Sequence, residues 1–164
     1  MFVLDVDNFK KINDTMGHAF GDEVLRNLAV RLQSMFRATD IVGRTGGDEF
    51  MVFLKDIRDI TMIEREGKKI EQFFHQFEVG EYVKYSVTAS VGAAVFPGDG
   101  RTFEDLYKSA DNALYVSKRH GKNQLTFYKK PEKETQYRPP CGKCPRNRNR
   151  FVQSDKHLKK KKSL

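Results

Sequence analysis

Residues 40–55 constrain the fold of this chain more than any other stretch. Asp40 to Thr45 and Phe50 to Lys55 read as two short strands, and Gly46-Gly47 lies between them. Glycine accepts the positive φ of a tight turn, so the pair predicts a β-hairpin and with it an antiparallel sheet. The rest of the pattern must build around that hairpin. Phe2-Val3-Leu4-Asp5-Val6 is a short apolar run that predicts a buried strand. Asn8 is placed to cap a helix from Phe9 to Met16, closed by Gly17. Gly21-Asp22 opens a longer helix, with Val24, Leu25, Leu28, Leu32 and Phe36 at helical spacing. A third helix is predicted from Asp59 to Phe77, with Ile63, Ile70, Phe73, Phe74 and Phe77 as its apolar stripe. Tyr85 to Phe96 alternates like a strand and is ended by Pro97-Gly98-Asp99-Gly100. Thr102 caps a fourth helix reaching Arg119, with Leu106, Ala110, Ala113 and Leu114 facing inward, and Gln124 to Tyr128 forms a last strand. The order β-α-α-β-β-α-β-α-β implies an α+β fold, one mainly antiparallel central sheet flanked by helices.

The net charge of +8 belongs to one end of the chain. Residues 1–128 hold 17 Lys and Arg against 19 Asp and Glu, a net of −2; residues 129–164 hold 13 against 3, a net of +10. A mildly acidic domain over 1–128 is thus followed by a basic tail over 129–164, and overall charge gives no ground for nucleic-acid binding by the domain. The tail has too few apolar residues to offset its ordering entropy and reads as largely disordered. Every hydrophobic stretch is broken by charge within about ten residues, short of a membrane span, and the opening Met1-Phe2-Val3-Leu4-Asp5 lacks a basic start. A soluble, cytoplasmic protein is expected. Both cysteines, Cys141 and Cys144, lie in the tail, so the domain needs no disulfide.

Acidic residues sit where strands end. Asp5 closes the first strand, Asp7 follows it, and Asp48-Glu49 follow the hairpin glycines. If the first strand pairs beside the hairpin, these three acidic groups converge at one edge. Like charges held close raise each other's pKa unless a cation lies between them. Oxygen ligands suit a hard ion such as Mg²⁺ or Mn²⁺, and two such ions beside a triphosphate suit in-line phosphoryl transfer. Taken singly, each acid reads equally as a strand-end or turn residue facing solvent.

The combination is more specific. Asp5-x-Asp7-x-Phe9-Lys10-x-Ile12-Asn13-Asp14-x-x-Gly17-His18-x-x-Gly21-Asp22-x-x-Leu25, then Gly46-Gly47-Asp48-Glu49-Phe50, resembles the diguanylate cyclase, or GGDEF, family. The resemblance resumes at Ala110-Asp111-x-Ala113-Leu114-Tyr115-x-x-Lys118-x-x-Gly121-Lys122-Asn123 and covers about residues 2–128. It implies a domain similar to the palm of polymerases and adenylyl cyclases. It also implies condensation of two GTP into cyclic di-GMP with release of two pyrophosphates, by a homodimer with two Mg²⁺ or Mn²⁺ ions per active site. By the same resemblance Asp5, Asp48 and the carbonyl of Val6 match metal ligands. Asp48 and Glu49 match the catalytic acids, between which the base role stays open. Asn13 and Asp22 match groups that bond the guanine edge, and His18 shares their pocket. Lys118 and Lys122 match the pair that meets the terminal phosphates. A Cβ at Gly46 or Gly47 would obstruct the approach of the nucleotide to the main chain. In isolation Lys118 and Lys122 read as solvated helix-end lysines, Asn13 as a helix-surface residue and His18 as a helix-stop residue.

Arg37-x-x-Asp40 falls where the family places a product-inhibition site, with Arg44 near enough to assist. Arginine can bind guanine or phosphate bidentately, and aspartate can accept from guanine N–H groups. Two features depart from the family pattern. An additional helix and an Asp-x-Leu-Thr-Gly-Leu-x-Asn-Arg segment normally precede the first strand; without them apolar surface is expected to lie open, and full catalytic competence becomes an open question. A silent receptor for GTP or cyclic di-GMP is the alternative reading. In the tail, Cys141-x-x-Cys144 and His157 echo part of a zinc-finger spacing but lack a fourth ligand. The closing lysines suit an acidic partner, nucleic acid or anionic lipid by charge alone.

Overall fold

The computed structural model describes residues 1–81 and 84–130. Residues Met1–Pro131 form one compact unit. The expectations for the tail, its disorder, Cys141, Cys144, His157 and the lysine run, lie outside the described residues.

The elements follow in the order β1 (Phe2–Val6), α1 (Phe9–Met16), α2 (His18–Met35), β2 (Ile41–Gly46), β3 (Glu49–Phe53), α3 (Ile60–His75), β4 (Glu78–Val79), β5 (Tyr85–Ser86), β6 (Ala89–Ala93), α4 (Phe103–Arg119) and β7 (Leu125–Phe127). The main sheet has the strand order β2-β3-β1-β6-β7. Its pairings are antiparallel except β6 with β7, which are parallel and joined through α4. The α+β architecture is the one expected from the sequence. Among the described residues no helix is long and apolar enough to cross a membrane.

Side chains alternate across a strand, so β1 serves two layers. Phe2, Leu4 and Val6 enter one core with Val24, Leu28 and Leu32 of α2 and Ile63, Ile70 and Phe74 of α3. Val3 enters the other with Leu106, Ala110 and Leu114 of α4. Phe50 and Val52 of β3 join the first layer, whereas Met51 and Phe53 lie against the second. The same alternation assigns Asp5 and Glu49, the odd-numbered partners, to the α4 side. The helix seats closely on β6 because position 92 is glycine: a Cβ there would run into the backbone of Ala110 and Leu114. Ser117 fastens the far end of α4, its hydroxyl donating to the Val91 carbonyl at 2.7 Å.

Several local expectations are corrected. The second helix starts at His18, not at Gly21-Asp22: Gly17 (φ 87°) ends α1 and turns the chain directly into α2. His18 is therefore the first residue of a helix and not a stop. Asn8 does not cap α1 with its side chain; it stands in the left-handed region (φ 57°) and its side chain is used elsewhere. Tyr85 to Phe96 is not one strand. Its first part pairs with β4 in a two-stranded ribbon, Glu78 opposite Ser86 and Val79 opposite Tyr85, and β6 proper ends at Ala93. The break comes at Val87 and Thr88, whose backbone groups turn to Phe77 and Asp7. Thr102 caps its helix as expected, accepting from the Asp105 amide at 3.1 Å. Asp59, expected as the first residue of the third helix, is instead its cap and accepts from the Met62 amide at 3.0 Å. Phe96 and Phe103 are more than half exposed, and a cavity of about 430 Å³ opens between Met1, Phe53, Ile63, Phe96 and Leu106.

Candidate functional site

The hairpin places its acids by register. Gly46 pairs with Glu49, so the turn residues are Gly47 (φ 51°) and Asp48, one position later than Gly46-Gly47. A register shift between Arg44 and Gly46 marks a bulge just before the turn. Asp5 then lies directly opposite Glu49, the two carboxylates starting from one face of neighbouring strands. Asp48 is tied to the same place through the backbone, its carbonyl accepting from the Val6 amide at 3.2 Å. A Cβ on Gly46 or Gly47 would meet nothing within 4 Å, so the main chain of the turn is open on that side.

From above, α4 lays one stripe across these acids. Positions 107, 111, 114 and 118 share a helix face by their spacing. Lys118 Nζ lies 2.7 Å from Asp5 Oδ2, with Asp5 largely covered. Burial pushes the Asp5 carboxyl up; Lys118 opposes this, and Asp48 and Asp7 add to it. Burial also raises Glu49, with Asp5, Asp111 and Asp48 contributing and Lys118 opposing. The Tyr107 phenol is raised by burial and by the negative charge of Glu49 and Asp111, against a bond from Thr45. Tyr107 and Asp111 thus belong to the acidic cluster although the sequence did not single them out; the periodicity of α4 was the available signal.

Asp7 lies near enough to add its charge to Asp5, but its own oxygens are engaged elsewhere. It is 5% exposed, and its oxygens accept from the Ser90 hydroxyl (2.7 Å), the Thr88 hydroxyl (2.9 Å) and the Asn123 amide (3.0 Å). Its acceptor capacity is used in holding loops together.

The remaining residues form two further groups. Asn13 on α1 is half-buried beside Gly21 of α2, and His18 and Asp22 are exposed on the first turns of α2. Gly21 permits this arrangement: a Cβ there would strike Oδ1 of Asn13 and crowd Phe9. Lys122 lies after α4, its Nζ donating to Oδ1 of Asn8 at 2.7 Å. Arg37 and Asp40 sit at the junction of α2 and β2. Asp40 accepts from the amides of Arg37 and Lys55, both at 3.1 Å. They border a cavity of about 220 Å³ that Lys55, Arg65 and Lys69 also line. Arg65 and Lys69 are paired with Glu66 at 3.2 and 2.9 Å. Arg44 is directed to the hairpin instead, its Nε donating to the Gly47 carbonyl at 2.7 Å.

A divalent ion fits this chemistry as a shared guest. Among the described residues no three acidic, histidine or cysteine side chains form a ready cage. Asp5 and Asp48 supply two hard oxygen donors, and Mg²⁺ ordinarily takes one or two carboxylates and completes its shell with water and substrate phosphates. Burial is the first cause of the raised pKa of Asp5; the negative charges of Asp48 and Asp7 add to it, and Lys118 opposes it.

Comparison with known proteins identifies the family. The family model "Diguanylate cyclase, GGDEF domain" matches residues 1–124. Diguanylate cyclase DosC of Escherichia coli (strain K12) is 38% identical over 132 residues, covering 79% of this chain and 28% of DosC. Cyclic di-GMP phosphodiesterase NbdA of Pseudomonas aeruginosa is 38% identical over 130 residues, covering 76% of this chain and 16% of NbdA. The crystal structure of the GGDEF domain of YfiN (TpbB) from Pseudomonas aeruginosa aligns with a TM-score of 0.74 at 33% identity, covering 78% of this chain and 80% of that one. The chain belongs to the GGDEF domain family, and it spans under a third of the length of either relative.

Two outcomes follow from the geometry. A carboxyl whose folded pKa is raised binds its proton more tightly in the folded state. Its stabilising contribution is complete below the ordinary carboxyl value of 4.5 and is lost as pH rises through the raised folded value. Thermal melts at neutral pH are expected to show Glu49→Gln with a higher Tm than the parent, the gain disappearing in acid; a lower Tm at neutral pH counts against the strained-carboxylate reading. Gly21→Ala is expected to cost ~1–3 kcal/mol of unfolding free energy by overpacking. In urea titrations the added Asn13→Ala should recover part of that loss, because it removes the group struck.

Proposed function

We propose that this domain is a diguanylate cyclase, joining two GTP into cyclic di-GMP and releasing two pyrophosphates. The observation that carries this reading is the register that sets Asp5 opposite Glu49, with Asp48 fastened to Val6 and Lys118 reaching in from α4. Asp5, Asp48 and the main chain of Val6 would hold Mg²⁺ or Mn²⁺, two ions per active site. The metal, when bound, supplies charge to the transferring phosphoryl group and acidity to the attacking hydroxyl. The protein's own part is positioning and charge, since phosphoryl transfer leaves little else for it to do.

In this reading the 3′-hydroxyl of one GTP attacks the α-phosphorus of the other, and pyrophosphate departs in line. A carboxylate of the pair Asp48 and Glu49 takes the hydroxyl proton; the raised pKa of Glu49 suits it to receive one. Lys118 and Lys122 meet the terminal phosphates and stabilise the departing charge. Asn13 and Asp22, with His18 beside them, bond the guanine edge and reject adenine by leaving polar groups unpaired. The open main chain at Gly46 and Gly47 admits the phosphates. The second bond requires the same chemistry on the opposite nucleotide, so two domains must face each other as a homodimer. Arg37 and Asp40, at the rim of the cavity with Lys55, Arg65 and Lys69, form the site at which the anionic product inhibits.

A second reading has its own support. NbdA, a phosphodiesterase by name, contains a segment 38% identical to this chain, so a related domain occurs in a protein named for the opposite reaction. The chain would then bind GTP or cyclic di-GMP without turnover.

One experiment separates the two. Purified protein is incubated with GTP and Mg²⁺ and the products are resolved by chromatography, in parallel with Asp48→Ala. Cyclic di-GMP from the parent, reduced by at least ~100-fold in the variant, is the expected result. No product from a folded parent that still binds cyclic di-GMP selects the receptor. Glycine 46 or 47 changed to valine is expected to abolish turnover with the melting transition retained; an active variant removes the open-turn argument.

A further inference from the structure

Among the described residues Asp7 and Glu66 are buried acids that the reaction above leaves without a role, and Glu66 is paired with Arg65 and Lys69 whereas Asp7 has no basic partner. It extends the odd-numbered face of β1 that carries Asp5, yet its carboxylate is enclosed and meets only neutral donors: two hydroxyls from the segment 88–90 and one backbone amide from the turn after α4. An enclosed carboxylate is costly unless it is fully hydrogen-bonded. Here the bonds join three separate pieces of chain. Its own amide donates to the Thr88 carbonyl at 2.9 Å, its Oδ1 takes Ser90, and its Oδ2 takes both Thr88 and Asn123.

The piece that most needs holding is the turn at 121–123. Gly121, Lys122 and Asn123 stand in succession at φ 108°, 63° and 46°. Side chains are disfavoured in the left-handed region, so two such non-glycine residues in a row persist only when their surroundings fix them. Asp7 fixes one through the Asn123 amide. The next residue along the chain from Asp7, Asn8, is itself left-handed, and its Oδ1 receives Lys122 Nζ at 2.7 Å. Two adjacent residues of the β1–α1 turn thus grip two adjacent residues of the α4–β7 turn.

We propose that Asp7 is a positioning residue that acts through Lys122. It clamps the turn carrying this lysine against the end of β1, so that the ammonium group is presented to the polyphosphate of the bound nucleotide. The proposal rests on the reading of Lys122 as a phosphate contact. It requires acceptors at Asp7 and not its charge. Asparagine can serve: its oxygen can face Thr88 and Asn123 while its NH₂ donates to the Ser90 hydroxyl.

The test compares Asp7→Ala, Asp7→Asn, Lys122→Ala and the double variant Asp7→Ala/Lys122→Ala. The ligands are guanosine and a GTP analogue with a methylene group between the α- and β-phosphates, titrated with Mg²⁺ by calorimetry. Asp7→Ala and Lys122→Ala are each expected to weaken the analogue by roughly tenfold while leaving guanosine within about twofold. The double variant should be no weaker than either single one, since the two residues act as one unit. Asp7→Asn should stay within about threefold of the parent.

Equal losses for guanosine and the analogue would mark Asp7 as a general structural residue and overturn the proposal. So would a double variant whose losses multiply, or an Asp7→Asn as weak as Asp7→Ala, which would mean that the charge itself is used. If Lys122→Ala binds the analogue like the parent, the phosphate reading of Lys122 fails, and the clamp loses its purpose with it. Should Asp7→Ala not fold, Asp7→Ser, too short to reach the Asn123 amide, takes its place with the same expected pattern.

Discussion

The structure depends on β1 being covered on both faces while carrying a carboxylate in its last turns. Its neighbours β3 and β6 occupy both edges, α2 and α3 cover one face and α4 the other. A strand so enclosed ordinarily carries only apolar side chains. Asp5 is accommodated because α4 brings Lys118 to it at 2.7 Å, and because the sheet opens at the hairpin turn beside it. The position of α4 therefore matters twice. It completes the smaller core around Val3 and Leu114, and it sets the charge that keeps Asp5 tolerable. Gly92 and Ser117 fix that position at two points along the helix.

The site holds electrostatic tension that the fold could have avoided. The carboxyls of Asp5 and Glu49 are displaced upward, first by burial and then by neighbouring acids, with Lys118 opposing. Raised carboxyl pKa values lower the stability of the folded domain as pH rises toward neutral. Stability sacrificed at a site in this way is a common mark of function. Asp7 illustrates the opposite arrangement two residues further on. Its carboxylate is more deeply buried but is met by neutral donors from three residues.

The sequence made the main elements legible because their signals are local. The stripe Val24, Leu25, Leu28, Leu32 and the cap Thr102 depend on near neighbours only. That Asp5 and Asp48-Glu49 would meet if the first strand lay beside the hairpin followed from the strand assignments; the register that sets Asp5 opposite Glu49 did not. What escaped was set by distant contacts. Asn8 looked like a helix cap, but its left-handed backbone and its bond to Lys122 come from a turn more than a hundred residues away. Asp7 read as one more acid beside Asp5, and that its oxygens are taken by Thr88, Ser90 and Asn123 depends on segments far along the chain. The ribbon of β4 and β5 was hidden because two-residue strands leave no periodicity to detect. The inward face of α4, Leu106, Ala110, Ala113 and Leu114, was legible from spacing, but that Tyr107 and Asp111 beside it would meet the acids of the hairpin was not.

The alternation along β1 has a consequence for how the chain reaches its fold. A slip of one residue against β3 or β6 would exchange the two faces of the strand. Asp5 and Asp7 would then enter the layer occupied by Leu28, Leu32 and Phe74, while Phe2, Leu4 and Val6 would turn toward α4. Mispaired intermediates thus carry unpaired charge in their largest hydrophobic layer and are heavily disfavoured. The same acids that crowd the finished site act during folding as a check on alignment, rejecting the wrong pairing before the helices close over it.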